Sequence, residues 1–294
     1  MCDIAFFVLF AVSSCMFDDF FDMGWWLLNV VDKDIKDTFR YIINNDKNCG
    51  CGRIYQSSNE DIEDLYSSID FNDKKVLSVL ASGDQPFMAH LKGASKVDLF
   101  DINKLTLYYY YLRVWTMKYF HTFYPEPYLC VDFIKALLFH VKPKSEKEER
   151  CFEYWKKIIQ SIDEKLLMSL FFSKCTIIQL DDRKIDKLNS LLHNEEPKFY
   201  NADISKEIDI CDKYDIVITS NIVDWLNADY CDLSEYKKNI SKLLNPKGIV
   251  LSSNLSNDKI IPYEKRLFDE DFYYHELSGV DSFNSSPGYM FVKK

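Results

Sequence analysis

Residues 75–103 read KVLSVLASGDQPFMAHLKGASKVDLFDIN, and their pattern decides the fold. Lys75 to Leu80 is a short β-branched apolar run between polar residues, the signature of a buried strand. Ala81-Ser82-Gly83-Asp84-Gln85 is a turn, and Pro86 to Leu91 suits a helix. Asp84 is placed to cap that helix, Pro86 is tolerated in its first turn, and Gly93 ends it. Lys96 to Phe100 is a second strand, closing on Asp101. Asn103 to Phe120 then carries an apolar stripe at helical spacing: Leu105, Tyr108, Leu112, Trp115 and Tyr119. Strand, helix, strand and helix in this order make a βαβ unit, which is parallel and right-handed.

Downstream, Pro125 and Pro127 interrupt the pattern, and residues 129–195 read as mostly helical. Strand signals resume at Lys198 to Asn201 and at Asp215 to Ser220. Asp232 and Glu235 form a D-x-x-E helix start, and the helix runs to Leu244. Asn245-Pro246-Lys247-Gly248 ends it, Ile249 to Ser252 is a further strand, and Phe272 to Leu277 with Gly288 to Val292 suit a closing antiparallel pair. The expected architecture is α/β: a doubly wound, seven-stranded, mostly parallel sheet, with a helical insertion at about 121–195. The expected organisation is an aromatic-rich extension, 1–53, followed by one α/β domain, 54–294.

Composition narrows the class. The chain has 294 residues, 47% apolar and 28% charged, as a globular protein does. Nine cysteines form no even framework, which points to a reduced, cytoplasmic protein. The net charge of −10 makes the chain as a whole a poor partner for phosphate backbones, so a nucleic-acid partner is not expected. No run reaches the ~18 apolar residues of a membrane span. The longest candidate, Ile4 to Phe17, contains Ser13 and Ser14. Val12 to Cys15 loosely resembles a lipoprotein cleavage site, but no basic residue precedes it. Cys49-Gly50-Cys51 is C-x-C without a second pair, and five scattered His make no cluster, so no metal is expected.

In an open α/β sheet the ligand lies beyond the carboxyl ends of the strands. Three features fall there. Gly83 follows the first strand, lets backbone approach a ligand, and opens a helix whose N–H groups suit an anion. Asp101, eighteen residues on, ends the second strand, where a carboxylate accepts from both hydroxyls of a ribose. Ser220-Asn221-Ile222-Val223-Asp224-Trp225 follows the DIVITS strand. The bland alternative for Asp101 is a helix cap. The fingerprints G-x-G-x-x-G, Walker A, G-x-S-x-G and H-E-x-x-H are absent. Together the three features predict a nucleoside site. Of the run Tyr108 to Tyr111, Tyr108 and Tyr109 fall on the buried stripe, whereas Tyr110 and Tyr111 lie off it, toward the insertion or an acceptor.

VLSVLASGDQPFMAHL (76–91), VDLFDIN (97–103) and DIVITSNIVDWL (215–226) resemble the S-adenosylmethionine-dependent enzymes of the methyltransferase fold. Within them the likeness is to the branch containing the betaine-lipid enzyme that transfers a 3-amino-3-carboxypropyl group. The resemblance implies S-adenosylmethionine as co-substrate, held by Ala81, Ser82, Gly83, Asp84, Asp101, Ile102, Asp203, Ser220 and Asn221. It implies Asp203 at the adenine amino group, with Asn221 and Asp224 on the acceptor side. The function expected is methyl transfer to a small-molecule or lipid-like acceptor. Aminocarboxypropyl transfer and a non-catalytic nucleoside-binding protein are the alternatives.

Overall fold

The computed structural model describes residues 33–35, 38, 54–58, 60–122, 130–172, 180–194, 196–223, 226, 233–253, 268, 271–277 and 288–294. The N-terminal run 1–32, Cys49 and Cys51, Asp224 and Trp225, and Asp232 lie outside the described residues. The chain divides into two compact units, residues 54–125 with 172–294, and residues 1–53 with 126–171.

The first unit is built on seven strands: β1 (Lys75–Val79), β2 (Lys96–Asp101), β3 (Phe199–Asn201), β4 (Tyr214–Ser220), β5 (Leu244–Ser253), β6 (Phe272–Leu277) and β7 (Gly288–Lys293). Their spatial order is β3-β2-β1-β4-β5-β7-β6. The first five are parallel neighbours, and β7 runs antiparallel to both β5 and β6. This is the doubly wound, mostly parallel sheet read from the sequence, and its central strands are apolar and buried because helices cover both faces. The closing pair is also where the pattern placed it. One strand differs. β5 begins at Leu244 rather than after Gly248, because Tyr214 pairs with Leu244 and Ile216 with Ile249. Asn245 to Gly248 therefore forms a bulge inside the strand, with Lys247 at φ 61.

Helix α1 (Asp84–Leu91) follows β1, and α2 (Leu105–Phe120) follows β2. The cap of α1 is not Asp84. Gly83 occupies that position at φ 92 with no side-chain bond, and Asp84 is the first helical residue. Tyr110 and Tyr111 are buried as fully as Tyr108 and Tyr109. Tyr110 stacks on Phe87 of α1 with centroids 5.0 Å apart, so neighbouring helices cover the face that the apolar stripe left open. Helices α3 (Val131–His140), α4 (Glu146–Ser161) and α5 (Glu164–Ser169) belong to the second unit. There Leu137 and Trp155 are buried, Phe139 is exposed, and the Tyr154 and Thr38 hydroxyls are 3.1 Å apart. Helices α6 (Asp182–Asn194) and α7 (Ser234–Leu243) return to the first unit. α6 lies against α1 and α2, and α7 against β4 and β5.

Candidate functional site

β1 leads out to β2 and β3 on one side, while its neighbour β4 leads to β5 on the other. The chain thus reverses direction between β1 and β4, and the crevice beyond their carboxyl ends is where such sheets bind ligands. Two non-glycine residues with positive φ flank it: Ala81 at φ 43, just past β1, and Ser220 at φ 51, the last residue of β4. Such backbone costs about 1–3 kcal/mol per residue and gathers at functional sites. The turn around Ala81 is tight, with the Gly83 amide donating to the Leu80 carbonyl at 2.6 Å.

Asp101 ends β2 and joins three strands at this point. Its Oδ2 accepts from the Ala81 amide at 2.8 Å and its Oδ1 from the Asn103 amide at 2.8 Å. Asp101 is not the cap of α2: Asn103 precedes the helix, and it is Asn103 Oδ1 that accepts from the Leu105 amide at 3.0 Å. The side-chain Nδ2 of Asn201 on β3 donates to the carbonyls of Asp101 and Ile102, at 3.0 and 2.9 Å. Burial pushes the Asp101 carboxyl up to about 6, against the bonds from Asn103, Ala81, Thr106 and Ile102 that favour its charged form. Next to this buried carboxylate, Ile102 is 54% exposed. Asp203 follows β3, and the Ala202 amide before it donates to the Asp101 carbonyl at 3.1 Å. Burial opposes its ionisation, but the Ser205 hydroxyl and amide and Lys206 prevail and hold its carboxyl below the usual range.

Under the turn lies an ion pair that the pattern did not reveal. Arg113 of α2 pairs with Asp84 at 2.8 Å, and both side chains are fully buried. The guanidinium donates to the Ser82 carbonyl at 2.5 Å and lies over the Phe87 ring at 5.0 Å. Asp84 Oδ2 also accepts from the Ser82 hydroxyl at 2.9 Å and the Ser58 amide at 2.5 Å. The side chains of Ser82 and Asp84 therefore hold the turn in shape. A Cβ at Gly83 would meet Phe87 Cε2 at 3.1 Å, so the turn packs down on the aromatic floor.

A second polar cluster sits at the β4 and β5 ends. Glu60, from the segment before the sheet, is buried, and its Oε1 accepts from the hydroxyls of Ser220 on β4 and Ser253 on β5, the latter at 2.5 Å. Gln85 Nε2 reaches Glu60 Oε2 at 3.5 Å and Ser220 Oγ at 3.4 Å. Asn221 is half-buried beside Ser220. The structure thus brings together Ala81, Ser82, Gly83, Asp84 and Asp101 around one turn, with Ile102 and Asp203 on the β2–β3 side and Ser220 and Asn221 on the β4 side. Glu60, Gln85, Arg113 and Ser253 join them without having been read as site residues. Arg113 did carry a signal, as the one charge in 105–117. Glu60 carried none.

No family model matches this chain, and no curated protein does. Solved structures of similar fold include three that name methylases. Ribosomal protein L11 methylase from Lactobacillus delbrueckii subsp. bulgaricus is 12% identical, with a TM-score of 0.41, over 79% of this chain and 75% of that one. An rRNA methylase from Streptococcus thermophilus is 10% identical, with a TM-score of 0.40, over 79% and 93%. N-methyltransferase NodS from Bradyrhizobium japonicum WM9, in complex with S-adenosyl-l-homocysteine, is 9% identical, with a TM-score of 0.38, over 89% and 99%. These are likenesses of overall fold and do not bear on what this chain acts on. Among the described residues no group of three or more His, Cys, Asp or Glu side chains could hold a metal ion, and no helix is long and apolar enough to cross a membrane.

Proposed function

We propose that this chain is an S-adenosylmethionine-dependent group transferase of the methyltransferase type. Asp101 carries the reading: a carboxylate at the β2 end, tied to the turn after β1, with an exposed Ile102 as its next residue. An ionised carboxylate has about four lone-pair sites and accepts from vicinal hydroxyls while keeping its backbone bonds. The apolar Ile102 side chain would cover a flat purine face. Asn221, and Asp224 after it, would face the acceptor. The co-substrate supplies a carbon activated by its sulfonium and a thioether leaving group. What remains for the chain is to exclude water and to hold the acceptor in line, with reacting atoms about 3–3.5 Å apart.

The test is a thermal-shift titration followed by product identification. Ligand at 100-fold over its dissociation constant stabilises by about 2.7 kcal/mol. No stabilisation by S-adenosylmethionine, S-adenosylhomocysteine or methylthioadenosine would overturn the proposal. Doubly labelled S-adenosylmethionine then reports the group and the acceptor together. Release of S-adenosylhomocysteine means methyl transfer, release of methylthioadenosine means aminocarboxypropyl transfer, and binding without either means a non-catalytic receptor.

A further inference from the structure

The edge of the sheet opposite the crevice, at the amino ends of β4 and β5, gathers lysines that stand outside any ion pair. Lys213 precedes β4, and Lys293 ends β7, which runs antiparallel to β5 and so finishes beside its start. Both reach the carboxyl end of α7. Lys213 Nζ donates to the Lys242 carbonyl at 2.6 Å, and Lys293 Nζ donates to the carbonyls of Ser241 and Leu244 at 2.7 and 3.4 Å. Lys242 Nζ bonds instead to the Ile208 carbonyl at 3.3 Å. Among the described residues, none of Lys213, Lys247 and Lys293 makes an ion pair. Burial, and then repulsion from Lys213, hold the Lys293 ammonium below its ordinary value, against the pull of Asp271. The Asp271 carboxylate is itself engaged by Lys237 at 3.1 Å.

A third lysine stands beside them on strained backbone. Lys247 is exposed in the bulge of β5 at φ 61, a conformation that favours glycine and gathers at functional sites. The bulge is fastened to Asp215, two residues after Lys213. Asn245 Nδ2 donates to Asp215 Oδ1 at 2.8 Å, and a Cβ at Gly248 would meet the Asp215 carbonyl at 3.2 Å. The Lys75 amide holds the other carboxylate oxygen of Asp215 at 2.9 Å. Three ammoniums thus face one carboxylate and a helix end worth about half a negative charge, a surplus of about +1.5. A phosphate monoester carries about −1.5 to −2 at pH 7 and presents three acceptor oxygens. An ammonium has three N–H donors, so beyond the α7 carbonyls Lys213 keeps two and Lys293 keeps one. We propose that Lys213, Lys247 and Lys293 form a site for a phosphate dianion or phosphate monoester on the edge of the sheet opposite the crevice. The site is independent of the transferase reading.

Calorimetric titration of the full chain with inorganic phosphate and with glycerol 3-phosphate tests this, at an ionic strength held constant with chloride. The proteins are wild type, Lys213→Gln, Lys247→Gln and a control, Lys238→Gln, whose ammonium is paired with Glu235 at 3.1 Å. An apo melting curve of each shows that it folds, and Lys247, exposed and outside any ion pair, carries the test alone if Lys213→Gln does not. Wild type and Lys238→Gln bind both probes alike. Lys213→Gln and Lys247→Gln bind them roughly 10- to 100-fold more weakly, the range for hydrogen bonds to a charged group. Saturating S-adenosylhomocysteine leaves phosphate binding unchanged, because the crevice lies at the other ends of the strands. Equal affinity in wild type and the Lys213 and Lys247 variants overturns the site, as does wild type giving no heat with either probe. Displacement of phosphate by S-adenosylhomocysteine overturns it too, by placing the anion in the crevice.

Discussion

Replacing Arg113 by Met tests how the turn that shapes the crevice is held. The substitution keeps the apolar stem of the side chain, which packs beside Phe87 and Tyr109, and removes the guanidinium. Asp84 is left fully buried without its 2.8 Å partner, and the Ser82 carbonyl loses its 2.5 Å donor. Removing one member of a buried pair costs about 3–5 kcal/mol, largely because the other charge stays behind. The Ser58 amide and Ser82 hydroxyl still reach Asp84 and soften that cost. The net expectation is a loss of about 4 kcal/mol, a large part of the ~5–15 kcal/mol that domains possess. Urea unfolding followed by circular dichroism measures it. Adding Asp84→Asn to Arg113→Met removes the stranded charge and keeps an acceptor, so the double variant should regain about 2 kcal/mol. If Arg113→Met lies within 1 kcal/mol of wild type, or the second substitution lowers stability further, the pair does not support the turn as described.

Gly83→Ala forces a Cβ into backbone at φ 92 and to within 3.1 Å of Phe87 Cε2, so a loss of at least about 1–2 kcal/mol is expected in the same assay. Asp101→Asn should weaken S-adenosylhomocysteine binding by about 2–3 kcal/mol, or 30- to 150-fold by calorimetry. Unchanged affinity would reduce Asp101 to a structural tie between the Ala81 and Asn103 amides. The same variant has a stability signature in pH. The Asp101 carboxyl is raised from 3.8 to about 6, so between those values the folded protein keeps a proton that the unfolded chain has released, and stability falls as pH rises, by about 3 kcal/mol. Buried His90 is lowered from 6.5 to about 4, so its contribution of about 3 kcal/mol is lost as pH falls through that window. The two slopes offset each other in wild type. Melting curves of Asp101→Asn from pH 6.5 to 4 should show the His90 loss alone, a steeper fall than in wild type.

The division between what the pattern revealed and what it concealed follows sequence distance. Strands β1, β2 and β4 announce themselves because a strand buried on both faces is a short apolar run, and Gly83 and Asp101 sit where such runs end. Helix α2 shows the limit of periodicity. Its stripe places Tyr108 and Tyr109, but a helix covered on every side has no polar face to mark Tyr110 and Tyr111. The bulge at Asn245 to Gly248 reads as a turn because its residues are turn formers, and only pairing with β4 shows that the strand resumes on both sides of it. Pairing at long range is wholly silent. Glu60 and Ser253 are 193 positions apart, and the Glu60 neighbourhood, SSNED, has the composition of a surface loop. Arg113 lies between these cases. A charge within thirteen otherwise uncharged residues, 105–117, in a buried helix requires an opposite charge, because an unpaired guanidinium cannot shed its proton to escape burial. That need points inward from α2 to an acid, and Asp84, in the turn that the pattern had already placed at the crevice, is the acid that the fold supplies.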